Sequence, residues 1–171
     1  LKNFNINEEF NSDLFQNLSD TRKQNIKYGF KNNLEFCEGD TETFMNLYLE
    51  SVKRQNIDIK PKQLLEMKNI LSSLRKKKKL QVISCQLKKK IEYSIVICWD
   101  DNKGYYLFGT GVEKRQRYSA SATLWYSIKF LKDKHVEILD LEGINSPSRG
   151  SFKTSFGGNI VPYYVLNFNM K

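Results

Sequence analysis

Two stretches near the carboxyl terminus carry the residue types with the clearest potential for chemistry. In the first, an apolar run ends on Asp140 and is followed by Gly143. In the second, Lys153 lies between Phe152 and Phe156, ahead of a Gly-Gly pair. Phenylalanines four positions apart can anchor one helical face in a core, and a lysine beside them can be partly desolvated. We therefore interpret Lys153 as a candidate for stabilising developing negative charge, with a solvated lysine on an amphipathic turn as the alternative.

Asp140 is expected at the end of a parallel strand, on the edge where open α/β sheets bind ligands. If it is ionised and faces a cleft, its carboxylate could orient an attacking amine before deprotonation. The same side chain could equally cap the turn at Gly143, which is a common role for aspartate. The sequence leaves both interpretations open.

A basic loop followed by small residues lies between a predicted strand and a predicted helix, at residues 113–122. The N–H groups and the dipole at a helix N-terminus favour an anion. We therefore predict that Arg115, Arg117, Ser119 and Ser121 hold a phosphate-bearing donor molecule. The alternative is that one of the serines is only an N-cap and that both arginines are solvated.

Helices are expected in the first half of the chain. Asp40 can cap one of them, with Thr41 as the alternative cap, and Pro61 suits the first turn of the next. Residues 1–35 are polar and rich in asparagine, so we expect a basic linker or short helix that carries little core. Residues 36–171 are then long enough for a single domain with a sizeable core.

Runs rich in Ile, Val, Leu, Tyr and Phe are predicted as strands. They cover residues 80–87, 92–99, 105–110, 136–141 and 160–168. Short polar turns separate the first three runs, which indicates an antiparallel meander. A helix predicted over residues 119–131 connects the third run to the fourth, with the lengths of a right-handed crossover between parallel strands. The last run is expected to close the sheet.

The pattern Asp140-x-x-Gly143, followed by Phe152-Lys153-x-x-Phe156-Gly-Gly, resembles the C-terminal signature of the FemAB family. Members of that family are acyl and aminoacyl transferases built on the GNAT fold. The order helix-helix-β-β-β-α-β is also that of a GNAT domain. The resemblance implies a mixed α/β fold with a central, mostly antiparallel sheet, a parallel strand–helix–strand crossover and flanking helices.

The resemblance also implies an activity, which is transfer of an acyl group from acyl-CoA or an aminoacyl group from aminoacyl-tRNA to an amine. The expected acceptor is a lipid- or nucleotide-linked precursor of the cell envelope, either an amino sugar of a surface polysaccharide or a peptidoglycan peptide. The segment from Gln116 to Ser121 departs from the usual GNAT phosphate loop because both of its glycines are absent. Side chains on Ser119 and Ser121 would crowd a pyrophosphate, which makes acetyl-CoA a weaker inference than in an ordinary GNAT protein.

Site roles follow from the same resemblance. Lys153 would stabilise the oxyanion of the tetrahedral intermediate, and Asp140 would orient the amine. Arg149 would hold a phosphate of the donor or the acceptor. Tyr163 and Tyr164 lie in the predicted closing strand, where one of them would donate a hydrogen bond to substrate.

The charge balance predicts anionic partners. The chain has 28 Lys and Arg against 19 Asp and Glu, a net charge of +9, which favours CoA, tRNA, lipid-linked sugars or a membrane surface. The basic runs at residues 75–79 and 88–90 are typical of solvated turns and helix ends. The competing function is therefore a noncatalytic basic module that binds tRNA or an anionic surface. Trp125, Tyr126 and Phe130 could stack on bases in such a module, although their spacing fits core packing equally well.

Several classes of site are disfavoured. The three cysteines show no Cys-x-x-Cys spacing, so neither a zinc site nor a disulfide framework is indicated, and no metal is expected. His135 is the only histidine and lies in a polar connection, where we expect a surface turn rather than a Ser/His or Cys/His mechanism. The longest apolar run, residues 93–99, is too short to cross a bilayer.

These features predict a soluble protein in a reducing cytoplasm, with peripheral association at the inner face of the membrane as a further expectation. FemAB proteins usually contain two GNAT modules in tandem, so the resemblance predicts an upstream module before Leu1. A minimal enzyme and a module without activity are the alternatives.

Overall fold

The structure is a computed structural model that describes residues 10–164 and residue 166. Its helices are α1 (Asp13–Gln16), α2 (Asp20–Lys31), α3 (Thr41–Arg54), α4 (Pro61–Lys76), α5 (Ser119–Lys132) and α6 (Pro147–Thr154). Its strands are β1 (Glu35–Gly39), β2 (Leu80–Leu87), β3 (Lys90–Trp99), β4 (Lys103–Gly111) and β5 (Ile138–Asp140). The chain divides into two compact units, a larger one of Thr21–Glu142 and a smaller one of Leu1–Asp20 with Gly143–Lys171.

The larger unit contains a five-stranded sheet in the order β1-β2-β3-β4-β5. The first three pairings are antiparallel, and β4 pairs with β5 in parallel. The predicted meander and the parallel pair joined by a crossover helix are therefore confirmed. The edge strand β1 was not predicted, because it has only five residues and two of them are glutamates.

Both basic runs lie at turns or helix ends, as the sequence indicated. Lys88 and Lys89 form the two-residue loop between β2 and β3, with φ angles of 51° and 64°. Positive φ at both positions is the geometry of a type I′ turn, whose twist matches that of the flanking strands. Lys78 lies in the turn between α4 and β2, also at a positive φ of 55°.

The sheet is covered on both faces. On one face α3 and α4 pack against alternate strand residues such as Val82 and Val96, which are almost fully buried. The intervening residues, such as Ile83 and Ile95, are buried on the other face, where the Cys85 thiol lies 3.9 Å from the Ser119 carbonyl of α5. This alternation follows from the two-residue period of a strand.

The expectation that residues 1–35 carry little core is wrong for α2. Ile26 is fully buried, and the Gly29 backbone lies so close to Ala122 of α5 that an added Cβ would be 2.5 Å from the alanine Cβ. Phe36 of β1 stacks on Tyr126 of α5 at a ring separation of 4.5 Å. A short helix was one of the two predictions for this region, but its polar composition hid the buried face that Asn25, Ile26 and Gly29 form.

The smaller unit has its own apolar centre. Phe15 is fully buried and Phe156 is 5% exposed, and the Ser19 N–H donates to the Ser155 carbonyl at 3.0 Å. Gly157 adopts a φ of 78° against the carbonyl of Asn17, a close approach that only glycine accommodates without strain.

The strand predicted at residues 160–168 is not formed in its described part. Residues 160–164 have no regular secondary structure, and Ile160 and Val161 are 70% and 77% exposed. Pro162 lacks the N–H that a sheet ladder requires, which disfavours a strand at this point. Residues 165, 167 and 168 of the predicted strand lie outside the described residues.

Candidate functional site

The parallel strands β4 and β5 separate soon after they pair. Their register joins Lys103 to Ile138 and Tyr105 to Asp140, and β4 then continues to Gly111 paired with β3 on its other side. A β-bulge follows at once, because the residues that oppose Val96 and Ile97 of β3 are Phe108 and Tyr106. Bulges are frequent next to active sites, where they redirect backbone and side-chain groups. Within the described residues of the larger unit, no strand pairs with this side of β4 beyond the carboxyl end of β5.

The N-terminus of α5 already faces a carboxylate of the protein itself. The Glu92 side chain, from β3, accepts a hydrogen bond from the Gln116 N–H at 2.6 Å and from the Ser119 hydroxyl at 3.2 Å. A negative charge is stabilising at this end of a helix. Glu92 therefore lies beside the loop and the first residue of α5, where the sequence predicted a donor phosphate.

Ser119 and Ser121 are both fully buried. The Ser121 hydroxyl accepts a hydrogen bond of 2.6 Å from the Arg22 guanidinium of α2, and burial lowers the pKa of that arginine. Helix α2 therefore packs over the start of α5. These two serines were predicted to contact a donor, but their hydroxyls bond to other parts of the chain and do not face solvent.

The two arginines of the predicted phosphate site are exposed in the loop before α5. Arg115 donates to the Val112 carbonyl at 3.2 Å, and its guanidinium lies 5.6 Å from the centre of the Tyr93 ring. Within residues 10–164, no hydrogen bond or ion pair joins Arg117 to another side chain. Arg117 is the residue of the predicted set that remains available to an external anion.

Asp140 is held by contacts at both of its carboxylate oxygens. Oδ2 lies 2.8 Å from the ammonium of Lys103, and Oδ1 accepts the Glu142 N–H at 2.8 Å. The hydrogen bond to Asp140 raises the pKa of Lys103. Glu142 has a φ of 63°, so the second contact caps the turn that follows β5. Asp140 therefore caps the turn after β5, which is one of the two roles that the sequence left open.

A polar cluster beside this ion pair was not predicted from the sequence. The Asp100 carboxylate accepts the Lys103 N–H at 2.9 Å and the Tyr105 hydroxyl at 3.1 Å. The backbone hydrogen bond lowers the pKa of Asp100, and the hydrogen bond to Asp100 raises the pKa of Tyr105. An aspartate three residues before the first residue of β4, in a polar turn, was the available signal.

Lys153 lies in the last turn of α6 in the smaller unit and is half-buried. Its ammonium donates to the Gly143 carbonyl at 2.9 Å. The flanking rings of Phe152 and Phe156 are 5.4 Å apart, so the expected apolar anchor is present. Arg149 is exposed on the same helix.

The predicted catalytic residues Asp140 and Lys153 belong to different compact units. Their joint action therefore stays a prediction. Tyr163 and Tyr164, predicted to face the cleft from a closing strand, lie outside any strand and are 68% and 89% exposed. Their predicted place in the sheet is wrong, and their contact with substrate stays a prediction.

Two buried tyrosines lie close to the bulge of β4. The hydroxyl groups of Tyr93 and Tyr106 are 3.5 Å apart above Gly109, where any Cβ would collide with them. The sequence offered one signal, since a lone glycine inside a strand often marks a close approach by another group.

Nucleophile–histidine chemistry finds little support in the described part of the chain. His135 is exposed with a φ of 60°, in agreement with the expected surface turn. Burial raises the pKa of Cys85 and of Cys98 to about 11, so both thiols are protonated at neutral pH. No group of three or more His, Cys, Asp or Glu in these residues is placed to hold a metal ion. None of the described helices is both long and apolar enough to span a bilayer.

Known structures share this architecture. FemX superimposes with a TM-score of 0.72 at 10% identity, over 85% of this chain and 55% of FemX. A predicted acetyltransferase with acetyl-CoA from Clostridium acetobutylicum gives 0.58 at 13% identity, over 80% and 96%. A ribosomal-protein-alanine N-acetyltransferase from Brucella melitensis gives 0.57 at 11% identity, over 80% and 99%.

These likenesses show that the chain has a FemAB-like GNAT fold, as the sequence resemblance predicted. The chain spans about half the length of FemX. No family model and no curated protein matches the sequence.

Proposed function

We propose that the protein transfers an acyl or aminoacyl group to an amine. The observation that carries this proposal is the separation of parallel strands β4 and β5 beside a bulge, in a fold shared with FemX and with acetyltransferases. Among the described residues no strand pairs with β4 beyond Tyr105 on the β5 side, and the backbone groups there are proposed to bind the carbonyl of a donor. Such preorganised groups stabilise charge that develops in the transition state.

Glu92 distinguishes between the two predicted donors. A pyrophosphate at the N-terminus of α5 would approach a carboxylate that the Gln116 N–H and the Ser119 hydroxyl already hold. Two like charges 4 Å apart repel by about 1 kcal/mol in water and by about 4 kcal/mol at an effective dielectric of 20. This repulsion disfavours acyl-CoA. We therefore propose aminoacyl-tRNA, whose reacting ester does not require that phosphate position.

The proposed reaction is aminolysis of an ester. The amine nitrogen attacks the carbonyl carbon, the intermediate places negative charge on the carbonyl oxygen, and the carbon–oxygen bond to the ribose breaks. The neutral amine becomes positively charged when it adds to the carbonyl, and the proton that it then loses balances the one gained by the departing ribose oxygen. Lys153 is proposed as the donor to the oxyanion, because its ammonium has three N–H donors and its side chain is half-buried on α6, next to Phe152 in the chain.

Asp140 is proposed to act as a positioning residue. Its contacts to Lys103 and to the Glu142 N–H fix the end of β5 and the turn that leads away from it. The acceptor is proposed to be an amine on a lipid- or nucleotide-linked cell-envelope precursor, with Arg149 as a phosphate contact. Because the chain spans about half of FemX, a noncatalytic binding module for tRNA is the second candidate.

Transfer of labelled amino acids from a mixed aminoacyl-tRNA pool to nucleotide-linked amino sugars and peptide precursors tests the proposal. Lys153→Met should lower kcat by about a hundredfold with donor affinity retained, as for loss of an oxyanion donor. His135→Ala, at an exposed turn, is the matched control and should retain full turnover. Absence of transfer by the wild type, together with tight tRNA binding in both variants, would favour the binding module.

A further inference from the structure

A surface groove lies between the start of α3 and one side of α4 in the larger unit. Its volume is about 290 Å³, and its lining residues carry cations or hydroxyl groups. They are Thr41, Lys68, Ser72, Arg75 and Lys76. Nothing in the proposed transfer reaction uses them.

The helical period brings these side chains together. Lys68, Ser72, Arg75 and Lys76 are spaced at i, i+4, i+7 and i+8, which places them along one side of α4. The apolar residues of the same helix, Leu71 among them, pack into the core with strand residues such as Val82 and Val96. The polar side of α4 then faces the start of α3, at Thr41.

Arg75 is held in place without being neutralised. Its guanidinium donates to the Thr41 hydroxyl at 2.8 Å, and this partner carries no charge. Within residues 10–164, neither Lys68 nor Lys76 forms an ion pair with a carboxylate. Two acids flank Thr41 in sequence: Asp40, whose carboxylate accepts the Thr43 N–H at 2.7 Å and serves as the N-cap of α3, and Glu42, which is exposed in the first turn of α3.

We propose that this groove binds a phosphoryl group. A guanidinium offers a planar fork of donors to phosphate oxygens, ammonium groups add point charge, and the hydroxyls of Thr41 and Ser72 complete the set of donors. The volume suits the phosphoryl part of a small molecule or a lipid headgroup. The inference rests on the groove alone and does not depend on the proposed transferase activity.

The groove is separate from the N-terminus of α5. It adjoins the start of β2, because α4 ends at Lys76 and β2 begins at Leu80. Glu92 lies near the turn that joins β2 to β3, next to Tyr93, which pairs with Cys85. Along β2, Leu80 and Cys85 are five residues apart, which corresponds to about 17 Å.

Calorimetric titration with inorganic pyrophosphate tests the proposal. The double variant Lys68→Gln/Lys76→Gln should bind about tenfold or more weakly than the wild type, because two charge-assisted hydrogen bonds are lost. The matched control is Lys62→Gln/Lys77→Gln, which removes the same charge from exposed positions at α4 outside the groove. The control should bind within about twofold of the wild type.

Sedimentation with vesicles of phosphatidylglycerol in phosphatidylcholine identifies the source of the phosphoryl group. Selective loss of pyrophosphate binding in the groove variant supports a soluble ligand, and selective loss of vesicle binding supports a lipid headgroup. Equal weakening in the groove variant and its control would show that only net charge matters and would overturn the proposal. Failure of the wild type to bind either probe would overturn it as well.

Discussion

The N-terminus of α5 and the α3–α4 groove are both rich in cations and hydroxyls, but only the first contains its own anion. Glu92 reaches the Gln116 N–H and the Ser119 hydroxyl at the first site. In the groove, Arg75 meets the neutral Thr41 hydroxyl, and Lys68 forms no ion pair with another described residue. A basic loop or helix end therefore indicates positive potential only. We expect an external anion to bind where no carboxylate from a distant strand already contacts the same groups.

The packing of α2 over α5 is part of this contrast, because it buries Ser121 against Arg22. Gly29→Leu should force α2 away from Ala122 and lower the free energy of unfolding by about 1–3 kcal/mol, the usual cost of overpacking. Urea denaturation measures the change, with Gln24→Ala at an exposed position of α2 as control. If the urea midpoint of Gly29→Leu equals that of the wild type, α2 does not pack closely against the start of α5.

The lysine hairpin offers a smaller effect of opposite sign. Lys88 and Lys89 occupy the positive-φ positions of a type I′ turn, where asparagine and glycine are preferred. Replacing them with Asn-Gly should raise the free energy of unfolding by about 1 kcal/mol, because the strain of two lysines at positive φ is removed. Thermal unfolding measures this gain.

The same hairpin variant sharpens the comparison, since it removes two charges at the α5 end of the sheet. Affinity of the groove for pyrophosphate should stay within about twofold of the wild type. A large loss of affinity would mean that total charge, rather than the local arrangement of Lys68 and Arg75, attracts the anion.

Local pattern predicted most of the larger unit. The strand β2 was predicted with its observed bounds, and the crossover helix over residues 119–131 is observed as Ser119–Lys132. Apolar periodicity and turn residues determine such elements locally. β1 was missed because an edge strand of five residues tolerates charge on its exposed side. The strand at residues 160–168 was overpredicted, because apolar content alone does not supply a partner strand.

The candidate site was less predictable than the fold. Ser119 and Glu92 are 27 residues apart in sequence, and their contact depends on the register of β3 with its neighbours. Local sequence patterns cannot predict a hydrogen bond between residues so far apart in the chain. The contacts of Asp140 to Lys103 likewise require the parallel register of β4 and β5. The sequence identified the loop before α5 as electropositive but could not reveal the carboxylate that occupies it.

We propose that Glu92 repels the phosphates of acyl-CoA, and titration of acetyl-CoA into the wild type and Glu92→Gln measures this repulsion. Glu113→Gln, which removes a carboxylate from an exposed position of the neighbouring loop, is the matched control. We expect a Kd weaker than about 1 mM for the wild type and the control, and affinity at least about tenfold tighter for Glu92→Gln. Micromolar binding of acetyl-CoA by the wild type, unchanged in Glu92→Gln, would contradict it.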